Sequence, residues 1–218
     1  HVARALNLVR RLHKSGADSP WSFDFYDEAC KIELLLAAED WSFPADFSEI
    51  KGRIERLVPL MRAGSGAPVL CHNDFYGPNI LVHGDEMCLI DWEYAAMGDY
   101  GCDFGNFVAQ GSGFDVERAK RAVPLYFGRK PTSDEVFHLI ACTAVVGWYW
   151  YVWAMHRELK GAPVGEWLYV WYRSAKDYAD AALAMADSIG MPTSGAGALS
   201  FEEFACPGRG EDAQHRAP

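Results

Sequence analysis

His72-Asn73-Asp74-Phe75-Tyr76-Gly77-Pro78-Asn79 and, twelve residues further on, Asp91-Trp92-Glu93-Tyr94 are the stretches that decide the reading of this chain. The first is a polar loop between two short apolar runs, Val69-Leu70-Cys71 and Ile80-Leu81-Val82. A third run, Met87-Cys88-Leu89-Ile90, leads into Asp91, and His83-Gly84-Asp85-Glu86 between the last two has hairpin-turn chemistry. The pattern predicts strand, loop, strand, turn, strand, carboxylate. Asp74 and Asn79 then share a loop held by strands, and Asp91 sits at a neighbouring strand end. Three oxygen-bearing side chains converge in this way where a hard cation such as magnesium, or a phosphoryl-transfer centre, needs them. Turn chemistry alone accounts for Gly77 and Pro78. It does not call for a carboxylate at the tip of an adjacent apolar strand, so Asp74, Asn79 and Asp91 read as functional. His72 reads as a brace for the loop.

Outward from this centre the pattern is helical. Apolar residues at 2, 5, 6, 9 and 12 predict a helix over Val2–Lys14 that stops at Ser15-Gly16. A second helix is expected over about 24–39 and a third over about 48–62, followed by the turn-like Ala63-Gly64-Ser65-Gly66-Ala67-Pro68. After Asp91 the chain is expected to turn through Met97-Gly98-Asp99-Tyr100-Gly101. Helices should then follow over 103–110, 115–127, about 133–159 and about 165–189. Thr132 and Glu135 stand at capping-box spacing for the longest. Leu139–Met155 is 17 residues without a charge. It has no basic flanks and is shorter than the roughly 20 residues of a membrane span, so a buried core helix is expected. From Gly190 the composition turns to Gly, Pro, Ser, Ala and charge, and a partly disordered tail over 190–218 is expected, with Leu199, Phe201 and Phe204 as its only anchors.

The 218 residues carry a formal net charge of −10, which argues against a nucleic-acid partner and fits a cationic substrate. None of the six cysteines forms a C-x-x-C pair, and most lie in apolar strings. A reducing compartment is expected, with no disulfide framework and no zinc site. The chain opens on His rather than Met and shows no signal peptide, so a fragment or processed product is expected, with a cytoplasmic location.

The stretch His72–Leu81, then Leu89-Ile90-Asp91-Trp92-Glu93-Tyr94-Ala95, then Gly98-Asp99 and Asp103, resembles the choline/ethanolamine kinase family. That family belongs to the aminoglycoside-phosphotransferase-like branch of the protein-kinase-like fold. The H-x-D-x4-N loop alone points to the superfamily. Ile-Asp-Trp-Glu-Tyr-Ala with Met-Gly-Asp narrows it to the choline-kinase-like members, in which Pro-Gly more often stands where this chain has Gly77-Pro78. The resemblance runs over about residues 1–188, all of it C-terminal lobe. It implies that Asp74 is the catalytic aspartate, Asn79 and Asp91 the magnesium ligands, Asp103 a structural acid supporting the loop, and Glu93 the acid facing a cationic head group.

A quaternary ammonium offers no hydrogen bond and is best held by aromatic faces and a carboxylate. Trp148-Tyr149-Trp150-Tyr151-Val152-Trp153 supplies such faces, and Trp150 and Trp153 share one side of the helix. Their spacing resembles the choline-pocket tryptophans of the family, while Trp148 and Tyr151 read as core. Trp167, Tyr169 and Trp171 could add another wall, and Tyr169 is preferred by family position, although it lies off the face shared by the other two. No glycine-rich loop and no strand Lys precede His72.

The expectation is therefore a mainly α fold with a small β-hairpin or short sheet (α+β). It is the C-terminal lobe of a protein-kinase-like fold over residues 1–189, with the catalytic loop at 72–79, the metal-binding strand end at 91–94, and the N-terminal lobe absent. The implied function is an ATP- and magnesium-dependent phosphotransferase acting on the hydroxyl of choline or a related amino alcohol. The alternatives are another small-molecule kinase of the superfamily and a non-catalytic choline-binding module without its nucleotide lobe.

Overall fold

The computed structural model describes residues 1–111 and 113–191; the expected tail lies almost wholly outside them. Among the described residues, seven α-helices and four short strands make an α+β fold in which helix is the bulk. The helices are α1 (Val2–His13), α2 (Phe25–Ala38), α3 (Phe47–Ala63), α4 (Tyr100–Ala109), α5 (Val116–Phe127), α6 (Ser133–Leu159) and α7 (Trp167–Ser188). The strands are β1 (Val69–Cys71), β2 (Ile80–His83), β3 (Glu86–Leu89) and β4 (Ala96–Gly98).

Local chemistry sets the helix ends. Asp24 accepts from the amides of Tyr26 and Asp27 at the start of α2, Asp115 from that of Arg118 at the start of α5. The Thr132–Glu135 capping box opens α6 as the spacing predicts. Helix α4 begins at Tyr100 rather than at Asp103, because Asp99 accepts from the Gly101 amide and caps it three residues early.

Helix α6 is the axis of the molecule: α2, α3, α4, α5 and α7 all pack on it. By length and composition it could cross a membrane, but most of its apolar window is buried inside this fold, which accounts for its composition. Trp148 and Tyr151 are core residues, as their positions suggest. The Trp148 indole N–H is satisfied by Glu33 (3.1 Å), whose second oxygen meets Lys51 Nζ at 2.6 Å. A buried carboxylate is tolerated because both its oxygens are engaged. Cys71, Cys102 and Cys142 are buried free thiols and Cys88 is an exposed one; Cys206 lies outside the described residues.

The strands form two separate antiparallel pairs rather than one sheet. β2 and β3 make the expected hairpin, with Ile80 opposite Leu89 and His83 opposite Glu86. β1 instead pairs with β4, Val69 opposite Gly98 and Cys71 opposite Ala96. β4 falls within and just before the stretch expected to be a turn. It is drawn into extended form from both sides, because the Met97 amide also donates to Trp21 O (2.8 Å) and Met97 O accepts from the Phe23 amide (3.0 Å). A side chain at Gly98 would stand 3.0 Å from Phe23 O, so glycine there lets the two backbones meet.

Helices α6 and α7 touch backbone to side chain at Gly147, where an added Cβ would lie 2.8 Å from both Ala175 N and Ser174 Cβ. Gly147→Ala should therefore destabilise the chain by about 1–3 kcal/mol despite the better helix propensity of alanine. Urea denaturation reads this directly; an unchanged midpoint would show that α7 moves aside at no cost.

Candidate active site

The loop between β1 and β2 is pinned from beneath by one carboxylate. Asp103 is fully buried in the first turn of α4. Its Oδ2 accepts from the His72 amide (2.8 Å) and its Oδ1 from the Asn73 amide (2.7 Å). The Nε2 of His13, at the end of α1, donates to the same Oδ2 (2.9 Å), while His13 Nδ1 pairs with the Tyr126 hydroxyl (2.8 Å). Burial of this charge is compensated by three donors, two of them on the loop itself.

Two backbone positions in the site are left-handed without being glycine, Asn73 (φ 61°) and Asp91 (φ 63°). Asn and Asp bear this conformation at the least cost. Asn73 is held in it by its own side chain, which donates to Tyr94 O (2.9 Å), and by Asn106, which donates to Asn73 O (3.0 Å). His72 is bonded at both ring nitrogens. Its Nε2 donates to Ile90 O (2.9 Å), its Nδ1 accepts from the Asp74 amide (3.3 Å), and its ring packs on Trp92 at 4.8 Å. The two bonds fix the ring proton on Nε2 and fasten the loop to the residue before Asp91.

Asp74 is half-buried above this brace. Its Oδ2 accepts from Asn79 Nδ2 (2.8 Å) and its Oδ1 from Gln110 Nε2 (3.2 Å). Burial raises its pKa above the ordinary carboxylate value, the bonds from Gln110 and Asn79 and the nearness of His72 pull it back, and the charge of Asp91 pushes it up again. Asn79 closes a single 3-10 turn, Gly77–Asn79, that begins with Pro78 near its start. Its amide nitrogen is committed twice to Asp74, through Oδ2 and through the backbone oxygen (3.0 Å), so its amide oxygen is the group left over. Asn79 O accepts from the Ile90 amide (3.1 Å), which brings Asp91 next to it. The carboxylate of Asp91 is exposed and makes no hydrogen bond or ion pair among the described residues. One neutral amide oxygen and one unpaired carboxylate beside it are the donor set a hard divalent cation takes, so these residues fit magnesium.

The aromatic residues divide. Trp150 is only 5% exposed and is the hub of a cluster. It stacks on Trp171 (5.6 Å), which stacks on Trp167 (5.4 Å), and it meets Trp153 (5.4 Å) and Tyr94 (6.0 Å) edge to face. Its indole N–H donates to Asn106 Oδ1 (2.7 Å). Trp153 is half-buried and already carries the guanidinium of Arg157 over its ring at 5.6 Å. Tyr169 does not join this wall. It is 60% exposed and stacks on Tyr172, the residue that packs on Tyr151, whereas Trp171 is the one that turns inward. Two residues off the Trp167–Trp171 stripe, Tyr169 faces the other side of α7. Glu93 lies exposed in the turn after Asp91. Tyr94 joins the two halves: it packs on Trp150, and its hydroxyl pKa is raised first by burial and then by Glu93, Asp74 and Asp91.

Three contributors were not foreseen: His13, Asn106 and Gln110. Replacing the acid beneath the loop should be costly. Asp103→Asn keeps the shape but presents a donor to donors, and is expected to lower the stability of the 218-residue chain by roughly 3 kcal/mol. Wild-type resistance to urea in this variant would remove Asp103 as the anchor.

The pattern of the phosphotransferase enzyme family (APH) matches residues 1–132. Over 146 residues the chain is 25% identical to a probable ethanolamine kinase of Arabidopsis thaliana, covering 64% of this chain and 37% of that protein. Among solved structures it resembles a choline/ethanolamine kinase family protein from Mesorhizobium loti (TM-score 0.69, 22% identity, 88% of this chain and 64% of that one). It also resembles the choline kinase LicA from Streptococcus pneumoniae (TM-score 0.67, 18% identity, 83% and 63%). The chain thus spans little more than a third of the first of these proteins and under two thirds of each of the other two. With the loop, the strand-end carboxylate and more than half of its length matched, the chain belongs to the phosphotransferase enzyme family.

Proposed function

We propose that the protein to which this chain belongs transfers the γ-phosphoryl group of ATP to the hydroxyl of choline or a related amino alcohol. The observation that carries this reading is the adjacency of two unlike environments. Asp74, which is bonded to Asn79, and Asp91 lie near enough to Tyr94 to raise its hydroxyl pKa, and the same tyrosine ring packs on Trp150 of the aromatic cluster at 6.0 Å. The first suits phosphoryl transfer; the second suits a cation that cannot hydrogen-bond. The aromatic helices α6 and α7 lie at or beyond the end of the family match, so the substrate reading rests on them rather than on family membership.

In this mechanism Asp74 accepts the proton of the substrate hydroxyl as the oxygen bonds to the γ-phosphorus. The bond from that phosphorus to the bridging oxygen breaks, and ADP leaves. In a loose transition state the gain comes chiefly from positioning, and Asp74 is positioned by two amides, Asn79 and Gln110. Asn79 and Asp91 would hold magnesium, which when bound supplies charge neutralisation for the phosphates. Glu93, Tyr94 and the open side of Trp153 would face the ammonium group. A structure of LicA in complex with AMP has the same fold (TM-score 0.65), which supports a nucleotide co-substrate.

The parent protein, given ATP and magnesium, should form a phosphomonoester of choline or ethanolamine detectable by 31P NMR, and not of an aminoglycoside. Asp74→Asn should cut turnover about 10²–10⁴-fold while amino-alcohol binding by calorimetry changes little. No product with either amino alcohol, or equal loss of binding and turnover, would contradict the reading. Trp153→Leu should raise the KM for the amino alcohol about tenfold and leave that for ATP unchanged; unchanged KM for both would take Trp153 out of the pocket.

A further inference from the structure

Asn106 is a fully buried amide in α4 with every hydrogen-bonding site used. Its Nδ2 donates to Asn73 O (3.0 Å) and to Cys102 O (3.2 Å). Its Oδ1 accepts from Trp150 Nε1 (2.7 Å) and from Gln110 Nε2 (3.2 Å). Gln110, one helical turn further and itself buried, uses the same Nε2 to reach Asp74 Oδ1 (3.2 Å). A continuous line of hydrogen bonds therefore runs from the hub of the tryptophan cluster to the carboxylate proposed to meet the substrate hydroxyl: Trp150, Asn106, Gln110, Asp74.

We propose that Gln110 is a positioning residue that sets the orientation of the Asp74 carboxylate, and that Asn106 slaves it to Trp150, so that the seating of the aromatic wall and the aim of the base are set together. This rests on the amino-alcohol kinase reading for its catalytic meaning, but not for its geometry. Three features support it. Asp74 has two carboxylate oxygens and one amide on each, so loss of Gln110 leaves a single tether, Asn79, on a side chain that turns freely about its last bond. Asn106 Oδ1 is shared by two donors, so its place depends on both Trp150 and Gln110. The same amide holds the carbonyl of left-handed Asn73, which keeps the line in register with the loop. The connection would be useful where the hydroxyl and the cationic group of one small substrate must be seated at once: the separation between base and cage is then fixed by four side chains rather than by two independent loops.

Gln110→Met keeps length and burial and removes the donor; Trp150→Phe keeps a ring and removes the N–H. In the 15N-labelled 218-residue chain, Gln110→Met should shift the Trp150 indole N–H resonance and the side-chain amide resonance of Asn79, the other partner of Asp74. In the parent protein it should lower kcat about tenfold, with the KM for ATP and for the amino alcohol changed by less than about threefold. The double variant should be no slower than about the slower single, because both substitutions cut one line. Unmoved resonances, or kcat effects that multiply, would overturn the proposal. Resonances that move in a wild-type protein showing no turnover of any amino alcohol would leave the positioning line standing and remove the proposed function instead. Should Gln110→Met fail to fold, Trp150→Phe reads the same line from its far end: the Asn79 amide resonance must move, and its failure to move overturns the proposal.

Discussion

A single buried carboxylate, Asp103, is the constraint from which the rest of the site follows. The loop has two polar ends, a left-handed residue and one buried apolar side chain, Phe75, stacked on Phe107 at 5.3 Å; that ring anchors the middle of the loop but leaves its first residues to be fixed by hydrogen bonds. Asp103 fixes them by accepting the amides of His72 and Asn73 together, while His13 from α1 supplies a third donor. The charge can stay buried only while these donors stay in place, so the helix end, the loop and the start of α4 hold one another. His72 then carries the constraint onward to Ile90, and so to Asp91. Asp74, Asn79 and Asp91 are brought together by backbone anchoring at a distance rather than by contacts among themselves alone.

Much of this was legible in the sequence. The helices announce themselves by apolar period and by capping residues, and the boundaries of α1, α2 and α5 fall within a residue or two of expectation. The hairpin of β2 and β3 follows from Gly84-Asp85 between apolar runs. β4 was hidden, because three residues ending in glycine carry no strand signal, and it is extended only through what pairs with it on both sides. Asp103 was placed by resemblance, but its partner His13 was not, since the two are 90 residues apart and nothing in either neighbourhood names the other. Gln110 and Asn106 were missed for a different reason. They are uncharged amides on a mostly apolar helix, and such residues look like ordinary helix punctuation until their acceptors are known.

The aromatic residues illustrate what a linear pattern can and cannot say. Spacing put Trp150 and Trp153 on one face, and they do touch. Spacing also placed Tyr169 off the stripe of Trp167 and Trp171, and the structure follows the spacing rather than the preference for Tyr169. What no pattern conveys is that Trp150 is a buried hub whose N–H is spent on Asn106, and that Trp153 already shares one face with Arg157. A ring that is part of the core can still shape a pocket, by holding in place the rings that are not.

The most direct test of this account is amide hydrogen exchange at His72 and Asn73 in the 218-residue chain. If Asp103 is the anchor, both amides should exchange only when the whole fold opens, with protection equal to that of the central turns of α6, although they belong to a loop. Exchange as fast as that of the exposed hairpin turn at Gly84 would show that the loop opens by itself, and that the site is not held from beneath by Asp103.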